Sequence, residues 1–329
     1  MRKLLSFFLV VLCWSCNENT NTEKHQNNRN NVINVKDKLV QFNAEETFIS
    51  SLSSLSITDD YLIIIDHKTV DYYIHIFDKK NFTYLASAIP KGQGPGEITV
   101  IGHIEANNAD RELYVSDHGK LKIFSYKIDS LITNPLYMPE VKMSMDLVLF
   151  PDEYLYINDT LSIGKVIEPI GVSDFKPYVA KWNMSTGVFV PMKYEHPGIP
   201  KKRISFAISM EDSIYVECYL YHDLMTICDI NGNLKYNVYG PNWDSLNSNC
   251  YFNVLFCKKN IFVSYYEKDN AKNSPSKILI FNTDGDYIKT LDIGYKIIQN
   301  FCYDRDNNRI LLCLDSEFQF AYLNLDDIS

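Results

Sequence analysis

The stretch ELYVSDHGKLKIFSY, Glu112 to Tyr126, reads as two short apolar strands around a polar turn. Leu113, Val115, Ile123 and Phe124 suit a pleated, buried surface, and Asp117-His118-Gly119 supplies turn chemistry between them. The pattern recurs along the chain. Its first strand is YLIIID (61–66), ELYVSD (112–117), YLYIND (154–159), SIYVEC (213–218), NIFVSY (260–265) and RILLCL (309–314). A second strand follows each: YIHIFD, LKIFSY, YVAKWN, LMTICD, KILIFN and FAYLNL. An apolar segment precedes each as the innermost strand: FISSLSSLSI, ITVIGHIEA, MSMDLVLF, RISFAISM, CYFNVLFC and KIIQNFCY.

No amphipathic helical run of the length a parallel crossover needs lies between these strands, so the connections imply antiparallel meanders. A repeat of about 40–50 residues with about four strands is the signature of a propeller blade. The expected fold is all-β: a six-bladed β-propeller of four-stranded antiparallel blades. The first five copies carry a fourth strand, as in TYLASAI and YIKTLDI, and the sixth ends at Ser329 with three. NVKDKLVQF (34–42) stands unpaired before the first blade. It is expected to fill the outer place in blade six and close the ring. The 23 tyrosines and 18 phenylalanines in 329 residues agree with a strand-rich chain.

The first residues read as a targeting segment. Arg2 and Lys3 precede the apolar run LLSFFLVVLCW (4–14), which is too short to span a bilayer and has the size of a signal-peptide core. The run ends in LCWSC, with Ser15 before Cys16. Residues 1–15 are expected to be a lipoprotein signal peptide and Cys16 the lipidated residue. Residues 16–33, rich in asparagine and poor in apolar side chains, are expected to be a flexible tether, and residues 34–329 the propeller. The net charge of −9 and the lack of a basic stripe argue against nucleic acid as a partner.

ELYVSDHGKLKIFSY resembles an NHL-type propeller repeat. GQGPGEI (92–98), after an outer strand, resembles the TolB-like six-bladed propeller lipoproteins of Bacteroides-type bacteria. The resemblance covers residues 34–329. It implies a lipid-anchored protein of the outer membrane in the cell envelope, on its periplasmic or surface face, from a family largely without assigned activity.

IPKGQGPGEI (89–98) is not a phosphate cradle. No lysine-serine pair or helix follows Gly92, Gly94 and Gly96, Pro95 removes an amide donor, and Glu97 would repel an anion. It reads as the turn from blade one to blade two, with glycines supplying positive φ. It shares a face with HKTVD (67–71), HGK (118–120), LYHD (220–223), EKDNAKNSPSK (267–277) and an insertion, TLSIGKVIEPIGVSDFK (160–176). Loops on a rigid scaffold carry function, so candidate binding residues are Lys91, Glu97, His67, His103, His118, His222 and Asp223. His103 is placed either at the channel or in the core. Asp66 and Asp117 read either as turn caps or as part of a metal or acid/base site. No G-x-S-x-G, H-E-x-x-H or EF-hand loop is present. No cofactor or resident metal is expected.

Cys302 with Cys313, or Cys218 with Cys228, could face each other across a hairpin; Cys250 and Cys257 complete the cysteines of the body. Two functions stand. The first is a monomeric, lipid-anchored module that binds a protein, peptide or glycan. The alternative, implied by similar propellers, is a metal-dependent lyase or lactonase-like enzyme with its site at the channel mouth.

Overall fold

The computed structural model describes residues 22–44, 46–146, 148–171, 174–199, 202–241, 243, 249–267 and 277–328. The signal segment and Cys16 lie outside these residues. Three short strands come first: β1 (Glu23–His25), β2 (Val32–Asn34) and β3 (Val40–Gln41). Blade one is β4 (Ser53–Ile57), β5 (Tyr61–Asp66), β6 (Tyr72–Asp78) and β7 (Tyr84–Pro90). Blade two is β8 (Ile101–Asn107), β9 (Glu112–Asp117), β10 (Lys122–Lys127) and β11 (Glu140–Ser144), with a short helix α1 (Ile128–Thr133) before its last strand. Blade three is β12 (Phe150–Asn158), β13 (Leu161–Pro169), β14 (Phe175–Asn183) and β15 (Val188–Pro191). Blade four is β16 (Ile204–Ser209), β17 (Ile214–Tyr219), β18 (Leu224–Asp229) and β19 (Leu234–Tyr239). Blade five is β20 (Asn249–Cys257), β21 (Asn260–Glu267), β22 (Lys277–Asn282) and β23 (Tyr287–Asp292). Blade six is β24 (Lys296–Asp304), β25 (Arg309–Asp315), β26 (Phe320–Asn324) and, outermost, β3.

The chain is a six-bladed β-propeller. Each blade is pressed between two others, so its middle strands are buried on both faces and read as continuous apolar runs. β17 is buried at all six positions and β5 at five of six. An apolar cluster fills each of the six blade–blade contacts. The one between blades six and one decides closure: Leu311, Cys313 and Phe320 meet Leu55, Leu62, Ile64, Phe77 and Phe42. Below it, buried Lys79 of blade one donates to Asp306 at 2.7 Å, and buried Arg309 of blade six donates to the Lys79 carbonyl at 2.6 Å.

Ring closure by the N-terminal segment is as the sequence implies, on a smaller scale. Within 34–42, Val40 and Gln41 pair with blade six, opposite Tyr322 and Ala321, and the Phe42 amide donates to the Phe320 carbonyl at 3.2 Å. Val35 is fully buried, and Phe42 stacks on Phe320 and Phe82.

Blade three corrects the sequence reading. YLYIND falls in innermost strand β12, and the supposed insertion 160–176 contains second strand β13. MSMDLVLF straddles the end of β11 and the start of β12. Gly164 and Lys165 interrupt the apolar pattern of β13. Gly164 lies flat against β12, where a side chain would meet the Glu153 carbonyl and the Tyr154 Cβ.

The tether reading fails for residues 22–33. β1 adds to the outer edge of blade four, parallel to β19, and β2 adds to the outer edge of blade five, parallel to β23. Main-chain bonds from Gln26 to the Tyr239 carbonyl (2.9 Å) and from Val35 to the Asp292 carbonyl (3.0 Å) hold this strap. Three-residue parallel strands carry no periodicity to read, and their energy comes from edge groups that the blades leave unpaired.

Five of the cysteines, Cys218, Cys228, Cys257, Cys302 and Cys313, are free thiols, and all but Cys302 are buried. Neither hairpin pair is bridged. Cys218 sits opposite Met225 and Cys228 opposite Tyr215. Cys250's side chain lies outside the described residues.

Candidate functional site

In a meander, the turns between second and third strands share a face with the crossings from one blade to the next. That face holds the glycine loop. Its glycines are there for space: none of Gly92, Gly94 and Gly96 has a left-handed φ, while Ile89, three residues earlier, takes φ 62°. The Glu97 side chain folds back over the loop, its Oε2 accepting from the Gly94 amide at 2.6 Å. A Cβ on Gly92 would overlap that carboxylate. Lys120 closes the loop from blade two, donating to the Gly94 and Glu97 carbonyls at 2.6 Å each. Lys91 donates to the Thr69 carbonyl at 2.9 Å. Lys91 and Glu97 are therefore occupied in shaping the loop.

Asp66 and Asp117 are buried caps. Asp66 accepts from the Ser50 and Lys68 amides at 2.9 Å. Asp117 accepts from the amides of Thr99 (2.9 Å), Val100 (3.1 Å), Gly119 (2.9 Å) and Lys120 (3.1 Å). These bonds fix the turn after the second strand to the chain entering the first strand of the same blade.

The histidines separate. His67 hydrogen-bonds Ser54 through Nε2 at 2.7 Å, and burial pushes its imidazole below the ordinary value. His118 packs edge-on against Phe150, in room left by Gly102. His103, on innermost strand β8, donates to the Tyr154 carbonyl at 2.9 Å, and Glu105 accepts from the Tyr156 amide at 2.9 Å. Burial pushes the His103 imidazole down. The hydrogen bond to Glu105 and the charges of Glu105 and Glu153 more than offset this and leave it raised. His103 and Glu105 therefore tie the innermost strands of blades two and three together. Among the described residues no group of three His, Cys, Asp or Glu side chains is placed to hold a metal ion. Among the described residues, the candidates Asp66, His103, Asp117 and Asp223 lie in separate networks.

Asp223 lies elsewhere, between blades four and five, and the strap completes its site. The carboxylate is fully buried and pairs with Arg29 at 2.8 Å. It also accepts from the hydroxyls of Tyr251 (2.7 Å) and Tyr265 (3.3 Å). Arg29 donates a second time to the Tyr251 hydroxyl at 2.9 Å, and its guanidinium lies within 6 Å of the rings of Tyr251, Tyr265 and Phe281. Burial opposes this charge, but Tyr251 and Asp223 hold the Arg29 pKa well above its ordinary value. The carbonyl of His222, beside Asp223, accepts from the Leu224 amide at 2.8 Å. Sequence reasoning missed Arg29, and the stretch NNRNN offers no local signal for a partner 194 residues away.

A cleft of about 460 Å³ opens between blades two and three. Leu121, Met143, Met145, Leu149, Pro151 and Phe189 form its apolar lining. Val141, Val148, Val188 and Val190 are each more than half exposed nearby. Among the described residues, no strand is added to the outer strands here, β11 and β15, in contrast to β19 and β23.

A family described as DUF5128, 6-bladed beta-propeller, matches residues 40–156, well under half of the chain. No curated protein matches it. A DUF4221 family member from Bacteroides vulgatus has a similar fold, with TM-score 0.58 at 14% identity over 87% of this chain and 97% of its own. A Bacteroides fragilis protein assigned as exported gives 0.52 at 13% identity, over 89% and 88%. A gluconolactonase from Xanthomonas campestris gives 0.53 at 9%, over 84% and 86%. At these identities the likeness is one of fold.

Proposed function

We propose that the protein is an exported, lipid-anchored interaction module that binds an extended protein or peptide segment through the cleft between blades two and three. The cleft carries the reading: a trough of mixed lining, in which Leu121, Met143, Leu149 and Phe189 stand beside Ser144, Asp146 and Thr186, next to two outer strands to which no described strand is added and which carry exposed valines. An extended segment can hydrogen-bond to such an edge while its alternate side chains enter the trough. The chain already does this to itself, since its own strap adds strands to blades four and five. Export is supported by the apolar start of the chain and by the exported assignment of the Bacteroides fragilis protein of similar fold. Anchoring rests on Cys16.

A photo-crosslinking residue at Val148 tests the proposal in intact cells. It should give one discrete adduct, lost with Met145→Asp, and the same residue at Ile288 on the rim of blade five should give none. Equal labelling at both positions, or none at Val148, would refute the cleft.

A further inference from the structure

The socket that receives Arg29 is built by the propeller body alone. Asp223 supplies a buried carboxylate, Tyr251 and Tyr265 supply hydroxyls that orient it, and with Phe281 they supply three rings. Gly240 makes the room: a side chain there would overlap the Asp223 carboxylate. A carboxylate removed from water needs a cation, and a planar guanidinium can bond two acceptors while its faces lie against aromatic rings. An ammonium is a compact, strongly hydrated point charge without the planar fork, so it matches this arrangement less well.

The occupant comes from a strap that lies on the outside of the blades and is held there by surface contacts, among them Lys24 with Asp286 at 2.9 Å and the Glu23 carboxylate, which accepts from Asn237 at 3.0 Å. Two three-residue ladders flank Arg29, and Glu23, His25, Asn27, Asn28, Asn30 and Asn31 are exposed around it. Arg29 itself keeps only 8% of its side chain exposed. We propose that this socket is a binding site for a guanidinium group, filled here by Arg29 as an internal occupant and open to an arginine side chain that a partner presents when the strap lifts. The site is separate from the cleft of blades two and three and does not depend on it.

Chemical complementation of the full chain carrying Arg29→Ala tests the site. Millimolar ethylguanidinium should raise the melting temperature of this variant, and ethylammonium at equal ionic strength should not. Adding Asp223→Asn should abolish the difference. If Arg29→Ala does not fold alone, the same pair of compounds is compared for recovery of the native circular dichroism spectrum. No difference between the compounds, or one that survives Asp223→Asn, would overturn the proposal. In the wild-type chain, excess agmatine should speed amide exchange over residues 22–34 by displacing Arg29. Unchanged exchange there would confine the socket to the chain's own arginine and overturn the role for a partner.

Discussion

Gly92 and Glu97 act as a pair, because the glycine leaves the space into which the carboxylate folds to cap the Gly94 amide. Gly92→Ala should displace that carboxylate and lose its hydrogen bond, a destabilisation of about 1 kcal/mol. In a Glu97→Ala background the same change should cost little, and a double-mutant cycle by denaturant unfolding reads the coupling. Arg29→Ala should be more severe, about 3–5 kcal/mol, because Asp223 is left buried and unpaired. Asp223→Asn in the same chain should recover part of this loss. The sequence showed that IPKGQGPGEI is a connection and not a cradle. It did not show why the glycines are there, since positive φ and close approach demand the same residue, and only the position of the Glu97 side chain separates them.

At the scale of elements, five blades were legible because their middle strands are buried on both faces and stand out as apolar runs. Blade three was misphased because its second strand holds Gly164 and Lys165. Lys165 carries its charge beside Asp152 (3.0 Å) and Glu153 (3.3 Å), partners that hydropathy along one strand cannot display. Inner and middle strands also bury their thiols. Burial pushes Cys257 up to about 11 and Cys228 up to about 12. A thiolate is the reactive form, so Cys218, Cys228, Cys257 and Cys313 should stay unalkylated in the native protein at about pH 8 and react on unfolding. Peptide mapping by mass spectrometry reads this directly.

Across the whole molecule, the ring is closed by side chains from both ends of the chain, and the missing fourth strand of blade six announced this in the sequence. The protonation of the folded ring follows from burial. His67, His75 and His196 are pushed below the ordinary histidine value by burial. Each contributes stability above the unfolded value of about 6.5 that is lost as pH falls through its folded value. His103 is raised, so its contribution is present below about 6.5 and lost as pH rises through its folded value. The three lowered imidazoles press the melting temperature down between about pH 7 and pH 5, and His103 opposes them. His103→Gln should steepen that fall. A profile no steeper in the variant than in the wild type would contradict the assignment.

The strap is where composition and structure diverge most, since an asparagine-rich segment that reads as tether is bonded along blades four and five. Hydrogen exchange over residues 22–44 tests this most directly. The amides of Gln26, Val35 and Phe42, bonded to the carbonyls of Tyr239, Asp292 and Phe320, should exchange far more slowly than unstructured chain. Exchange of all three at the rate of a free peptide would contradict the account and return residues 22–34 to a tether.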